Sequence, residues 1–326
     1  MNAKKANWAF LFMILAYIGI SVLAVFLLPS AADNILVSNL LIEVSIFIPI
    51  LIPMLLSRER ITDFLAFHKI KPGSVLMTAL FTFLTMPLLS LFNVISQFWV
   101  ENEVASMMDS YQVANMSFLP LWLSMGVIAP VFEEVICRGG VYRSYRRSGS
   151  AFMAMIFSSI VFACLHMNFN QAAYAVVMGV LAVLLVEATG SLWSSIIYHG
   201  LINGSNCLLM YLSLQSDPDI LDQQAVTSDT LFFVTGFFLI VAATFAPFAF
   251  AVLVWLEKHE GREGTLRSIW RDRKWRPEPY MDKKGKMKKD KLITIPLVLA
   301  LILCLLVMTG IFWGEAILKL LRTIQA

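Results

Sequence analysis

The sequence predicts an all-α fold, a polytopic transmembrane helical bundle of about nine spans, with the N-terminus inside and the C-terminus outside. Three observations predict it. Of the 326 residues, 59% are hydrophobic and 14% charged, a balance outside the range of ordinary soluble domains. The apolar residues gather into segments of the length that a bilayer demands. The basic residues gather on one set of connecting loops.

A hydrocarbon core about 30 Å thick takes about 20 residues of helix to cross. Segments of that kind lie near residues 8–28, 35–56, 74–98, 117–145, 151–168, 171–188, 191–213, 230–256 and 292–314. The first follows Lys4 and Lys5, and Ser30-Ala31-Ala32 imitates a signal-peptidase site. Its apolar run is longer than a signal peptide's, so it reads as a retained span.

Short loops rich in lysine and arginine stay cytoplasmic. With the N-terminus inside, 23 of the 25 basic residues fall on inside segments or inside helix ends, the exceptions being Lys319 and Arg322 in the tail. The predicted outside loops, residues 30–34, 101–116 and 215–230, contain acids and no lysine or arginine. Cys137, Cys164, Cys207 and Cys304 all fall in predicted spans, so no disulfide is expected.

The absence of an internal repeat, low-complexity tract or soluble segment predicts a single membrane domain, 1–326. Residues 257–291 form a basic cytoplasmic loop with 13 lysines and arginines against seven acids, interleaved with Trp270, Trp275 and Tyr280. The loop is expected to anchor the chain, with the lipid bilayer and anionic lipid as its partners. It has no groove-reading or phosphate-cradling motif, so no nucleic acid is expected as a partner. Residues 57–74 place Leu65, Phe67 and Ile70 among charges and could lie flat as a short interfacial helix or form a plain loop.

Against this background residues 131–138, VFEEVICR, stand out. An ionisable side chain at the bilayer centre costs roughly 2.5–3.5 kcal/mol on insertion scales, so Glu133, Glu134 and Arg138 together could cost about 8–10. Partners, protonation or water must offset that. Glu134 and Arg138 are four apart with the acid N-terminal, the favourable order for a pair on one helix face. Glu133 points about 100° away and finds no partner in its own segment. Neighbouring carboxylates in low dielectric cannot both ionise easily, so one is poised to exchange a proton, as a general base must.

His68 and His259 fall in loops, while His166 and His199 fall in spans. At 1.5 Å per residue, Glu133 lies roughly 20 Å from Arg147, and His166 about 22 Å from the start of its helix. His199 and Asn203 share a face about 12 and 18 Å into the seventh span. The costly polar groups can therefore converge on one cavity about halfway through the membrane. Glu43, a lone acid in span two, and Glu187, at a span end, read as structural; Asn168, Asn170 and Asn206 read as helix-end or interhelical hydrogen bonders.

Glu133-Glu134-x-x-x-Arg138, Phe162-x-x-x-His166 and His199-x-x-x-Asn203, in that order on separate spans, resemble the CAAX prenyl protease and bacteriocin-processing family of intramembrane endopeptidases. The resemblance covers residues 117–213, a protease core of roughly a third of the chain. It implies hydrolysis of a peptide or membrane-protein substrate by water activated between glutamate and histidine. Glu133 would take the water's proton and His166 would orient or share that water. Glu134, paired with Arg138, would fix the helix and the local field. His199 and Asn203 would donate to the oxyanion, and Phe162 would form an apolar wall. The resemblance implies a substrate of the CAAX, leader or pheromone-precursor class and a bacterial cell membrane as the location.

Zinc held by Glu133, His166 and His199 is the alternative to unaided glutamate–histidine chemistry, which is favoured because no HExxH is present. A rival from another class is a proton- or ion-coupled transporter, since the same intramembrane charges also make proton relays. A binding or scaffold protein that keeps the fold without cleaving anything is the third.

Overall fold

The computed structural model describes residues 1–27, 34–56, 60–100, 102, 113–216, 227–274, 277, 279–281 and 287–310. Most of the three predicted outside loops lies outside the described residues, as do Trp275, Lys319 and Arg322.

The described chain is helical almost throughout. Its helices are α1 (Ala3–Leu27), α2 (Ile35–Leu55), α3 (Ile61–Leu65), α4 (Pro72–Ser96), α5 (Phe118–Ser148), α6 (Ala151–Leu165), α7 (Phe169–Thr189), α8 (Leu192–Ser216), α9 (Ser228–His259), α10 (Thr265–Arg271) and α11 (Ile295–Met308). Each predicted span overlaps one of these helices. Six are long and apolar enough to cross a membrane: α1, α2, α4, α5, α7 and α9. α6 and α11 are shorter apolar helices. α8 has 25 residues and is more polar, carrying Ser194, Ser195, His199 and Asn203.

Short polar residues start the helices that matter to the site. The Ser150 side chain accepts from the Met153 amide to open α6, and Asn168 accepts from the Gln171 amide to open α7, each satisfying a donor that a first turn leaves unpaired. On α4 the hydroxyls of Thr78, Thr82 and Thr85 donate to carbonyls three or four residues back. Their polar groups are thus satisfied within the helix, as an apolar surrounding requires.

The main core joins α1, α2, α5, α6, α7 and α8, with Phe10, Ile50, Ile136, Tyr142, Phe162, Val183 and Tyr198 at most 1% exposed. Small residues bring the helices close. A Cβ at Gly126 of α5 would sit 2.9 Å from Gly204 Cα of α8, an approach that hydrogen at position 126 permits. α9 packs on α4 but turns Phe232, Phe233, Phe237, Ile240, Phe248 and Phe250 outward, as a lipid-facing helix does.

Two connecting segments carry local structure. The basic segment is not a plain loop: α9 runs into it, α10 follows, and Pro279–Met281 (β1) pairs antiparallel with Met287–Lys289 (β2), a small departure from an all-α fold. Phe152 of α6 packs against Trp270 of α10 with ring centroids 5.6 Å apart, which ties that segment to the bundle. Residues 60–74 hold a short helix rather than a plain loop. Helix α3 is five residues long and buries Phe64 and Leu65 inside the protein, where the Leu65 side chain occupies the space beside Gly139.

Candidate active site

The cluster is assembled on α5, whose winding changes twice. Two π-helical stretches, Ser124–Ile128 and Val135–Tyr142, flank an α-helical turn that ends at Glu134. Such stretches widen the helix locally and recur at functional sites. Glu134 and Arg138 face inward at 0% and 1% exposure and meet in a 2.8 Å contact, Nη1 to Oε1. The pair read from the sequence is therefore present, and buried.

His199 of α8 reaches the same carboxylate. Its Nδ1 lies 2.9 Å from Glu134 Oε1. A carboxylate paired with arginine only accepts, so Nδ1 carries the proton and donates. The other ring nitrogen, Nε2, lies 3.8 Å from Glu133 Oε2, beyond hydrogen-bond length. Glu133 is thus turned away from Arg138 and toward His199, as the 100° offset on the helix requires.

His166 stands where α6 ends. The helix stops at Leu165, three residues before the predicted end of the span, and His166 opens the turn into α7. Met167 takes a left-handed φ of 55°, and Asn168 Nδ2 donates to the His166 carbonyl over 3.0 Å, which fixes the turn. His166 Nδ1 lies 2.9 Å from the Phe162 carbonyl. A carbonyl only accepts, so Nδ1–H is the donor and Nε2 keeps its lone pair. His166 lies within electrostatic reach of Glu133, His199 and Arg138.

Phe162 does more than fill space. Arg138 Cζ sits 4.1 Å above its ring, and the rings of His166 and His199 meet it edge-on, at 4.8 Å and 5.7 Å between centroids. A guanidinium over an aromatic face is held by the ring's quadrupole and shielded from water. Asn203, one turn beyond His199 on α8, is half-buried; among the described residues it makes no hydrogen bond to the others.

Six of the seven residues named from the motifs are therefore brought together by α5, α6 and α8, with Asn203 adjacent. The cluster pairs an arginine-bound carboxylate with a second carboxylate and two imidazoles, one of them, His166, with a free Nε2. That set can activate water and stabilise a developing oxyanion. Among the described residues no three histidine, cysteine, aspartate or glutamate side chains are arranged to hold a metal ion.

The sequence reading of Glu43 as a lone acid is corrected. Glu43 of α2 is 4% exposed on the face that packs against α5, within electrostatic reach of Glu133. Its only signal in the sequence was being an acid inside a span. Glu187 has partners within the bundle: the Tyr142 hydroxyl donates to its Oε1 over 2.6 Å, and Arg146 lies 3.7 Å away. Asn168 caps α7, and Asn170 donates to Asn93 and Ser96 of α4 at 2.8 and 2.9 Å. The four cysteines are free.

Residues 115–205 match the family model for Rce1-like proteins, described as type II CAAX prenyl endopeptidase Rce1-like. The matched stretch runs from before α5 into α8 and contains all seven motif residues, so it agrees with the family that the motif order resembles. It covers well under half of the chain. No curated protein and no solved structure matches the sequence.

Proposed function

We propose that this chain, which carries a type II CAAX prenyl endopeptidase-like segment, is an intramembrane endopeptidase with residues 117–213 as its protease core. The observation that carries the proposal is the convergence of two glutamates, an arginine and two histidines from three helices in one cluster. Buried charges are costly in an apolar surrounding, and a structural staple would need only the Glu134–Arg138 pair.

In this reading water sits between Glu133 and His166. Glu133 takes its proton, and the hydroxide attacks the peptide carbonyl carbon. His166 accepts a hydrogen bond from the same water at Nε2. The tetrahedral oxyanion receives hydrogen bonds from His199 and Asn203; for His199 that role requires a proton on Nε2 as well as on Nδ1. Each such donor lowers the barrier enough to change kcat by about 10²–10³. Collapse of the intermediate returns the proton from Glu133 to the leaving amine. Glu134 accepts from both Arg138 and His199 and so sets the His199 ring against Glu133.

The substrate is a membrane-associated peptide or protein, of the CAAX, leader or pheromone-precursor class, and the family match favours the first. The bundle crosses the membrane nine times with the N-terminus inside, in a bacterial plasma membrane. Nothing in the structure favours the transporter alternative. The test is a comparison of membrane-protein termini in cells expressing the wild type and Glu133→Gln. New C-termini that depend on Glu133 support the proposal, and identical sets of termini contradict it.

A further inference from the structure

We infer that Glu43 is a positioning residue for Glu133: its protonated carboxyl donates a hydrogen bond that holds the Glu133 carboxylate toward His199. The inference rests on the proposed function for its consequence in catalysis, but its structural part stands separately.

Contacts along one face of α2 fix the position of Glu43. Asn39, one turn before it, donates to Ser124 Oγ of α5 over 3.1 Å. Phe47, one turn after it, packs edge-on against Phe132, the neighbour of Glu133, with centroids 5.1 Å apart. Ile50 lies so close to Gly140 that a Cβ there would fall 2.6 Å from its Cγ1. Residues 39, 43, 47 and 50 share a face at helical spacing. These contacts hold Glu43 on the side of α2 that faces the Glu133 stretch of α5.

Chemistry then requires a proton. Glu43 Oε2 and Glu133 Oε2 are both buried, on faces of α2 and α5 that pack together, and neither has a hydrogen-bond donor among the described residues. Two ionised carboxylates have nothing to donate and repel in a low dielectric. One shared proton converts that repulsion into a charge-assisted O–H···O bond, which is among the stronger kinds. Among the described residues no basic side chain pairs with Glu43, whereas Glu133 has His199 Nε2 at 3.8 Å. The proton therefore belongs on Glu43, and the charge on Glu133 remains available as a base.

The test uses purified full-length protein in lipid nanodiscs. The infrared spectrum of the wild type at pH 7 should contain the carbonyl band of a protonated carboxylic acid, and Glu43→Gln should remove it. An absent band, or one that Glu43→Gln leaves unchanged, overturns the inference. With a farnesylated CAAX-type peptide, Glu43→Leu should lower kcat by about 10- to 100-fold, the effect of losing one buried hydrogen-bonding partner, with KM within about twofold. Glu43→Gln, whose amide still donates, should restore kcat to within about threefold of wild type. Wild-type kcat in Glu43→Leu, or equal losses in both variants, would overturn it. If neither wild type nor Glu133→Gln cleaves any peptide, the protease reading fails while the infrared arm still decides the pair.

Discussion

Arg138→Leu isolates the electrostatic core of the cluster. Arg138 is 1% exposed, its Nη1 lies 2.8 Å from Glu134 Oε1, and its guanidinium rests 4.1 Å above Phe162. Removing it leaves the fully buried Glu134 carboxylate with His199 as its remaining partner. Breaking a buried pair from one side costs about 3–5 kcal/mol, and losing the ring contact adds about 1. The retained His199 bond offsets part of this, so a net loss of about 3 kcal/mol is expected, roughly two orders of magnitude in the folded-to-unfolded ratio. Adding Glu134→Gln removes the stranded charge while its carbonyl still accepts from His199. The double variant should therefore recover about 2 kcal/mol. The assay is equilibrium unfolding of the full-length protein in mixed micelles with increasing sodium dodecyl sulfate, followed by circular dichroism. An Arg138→Leu protein within about 1 kcal/mol of wild type, or a double variant no more stable than the single, would refute the reasoning.

Three further outcomes follow from the geometry. Gly126→Ala drives a methyl into the backbone of Gly204 and should cost about 1–3 kcal/mol in the same unfolding assay. It should also lower cleavage by shifting α8 and His199, whereas Gly19→Ala, with open space around it, should do neither. Leu65→Ala removes the side chain beside Gly139 and should destabilise by about 2–4 kcal/mol; no loss would place α3 outside the packed core. Cleavage should survive exhaustive chelation, and zinc bound in stoichiometric amount whose removal abolishes cleavage would overturn the metal-free reading.

The bundle and most of the cluster were legible in the sequence for physical reasons. Burying a charge in lipid is expensive enough that Glu133, Glu134, Arg138, His166 and His199 announce themselves, and the spacing of Glu134 and Arg138 fixes their pairing within one helix. Pairings across helices carry no such periodicity. Glu43 and Glu133 are 90 residues apart, and only the packing of α2 on α5 brings them to facing surfaces. The π-helical stretches were invisible for a similar reason. They leave the apolar pattern intact and change the winding, which tertiary contacts decide. The fate of Leu65 also hung on context, because an apolar side chain among charges fits a lipid interface as well as a protein pocket.

The most direct measurement of the central claim is cleavage of a farnesylated CAAX-type peptide by purified protein in liposomes, read by mass spectrometry, with Glu133→Gln alongside. Wild type should release a defined pair of fragments, and Glu133→Gln should release them at least about 100-fold more slowly with its fold intact. Equal cleavage by both proteins would contradict the account.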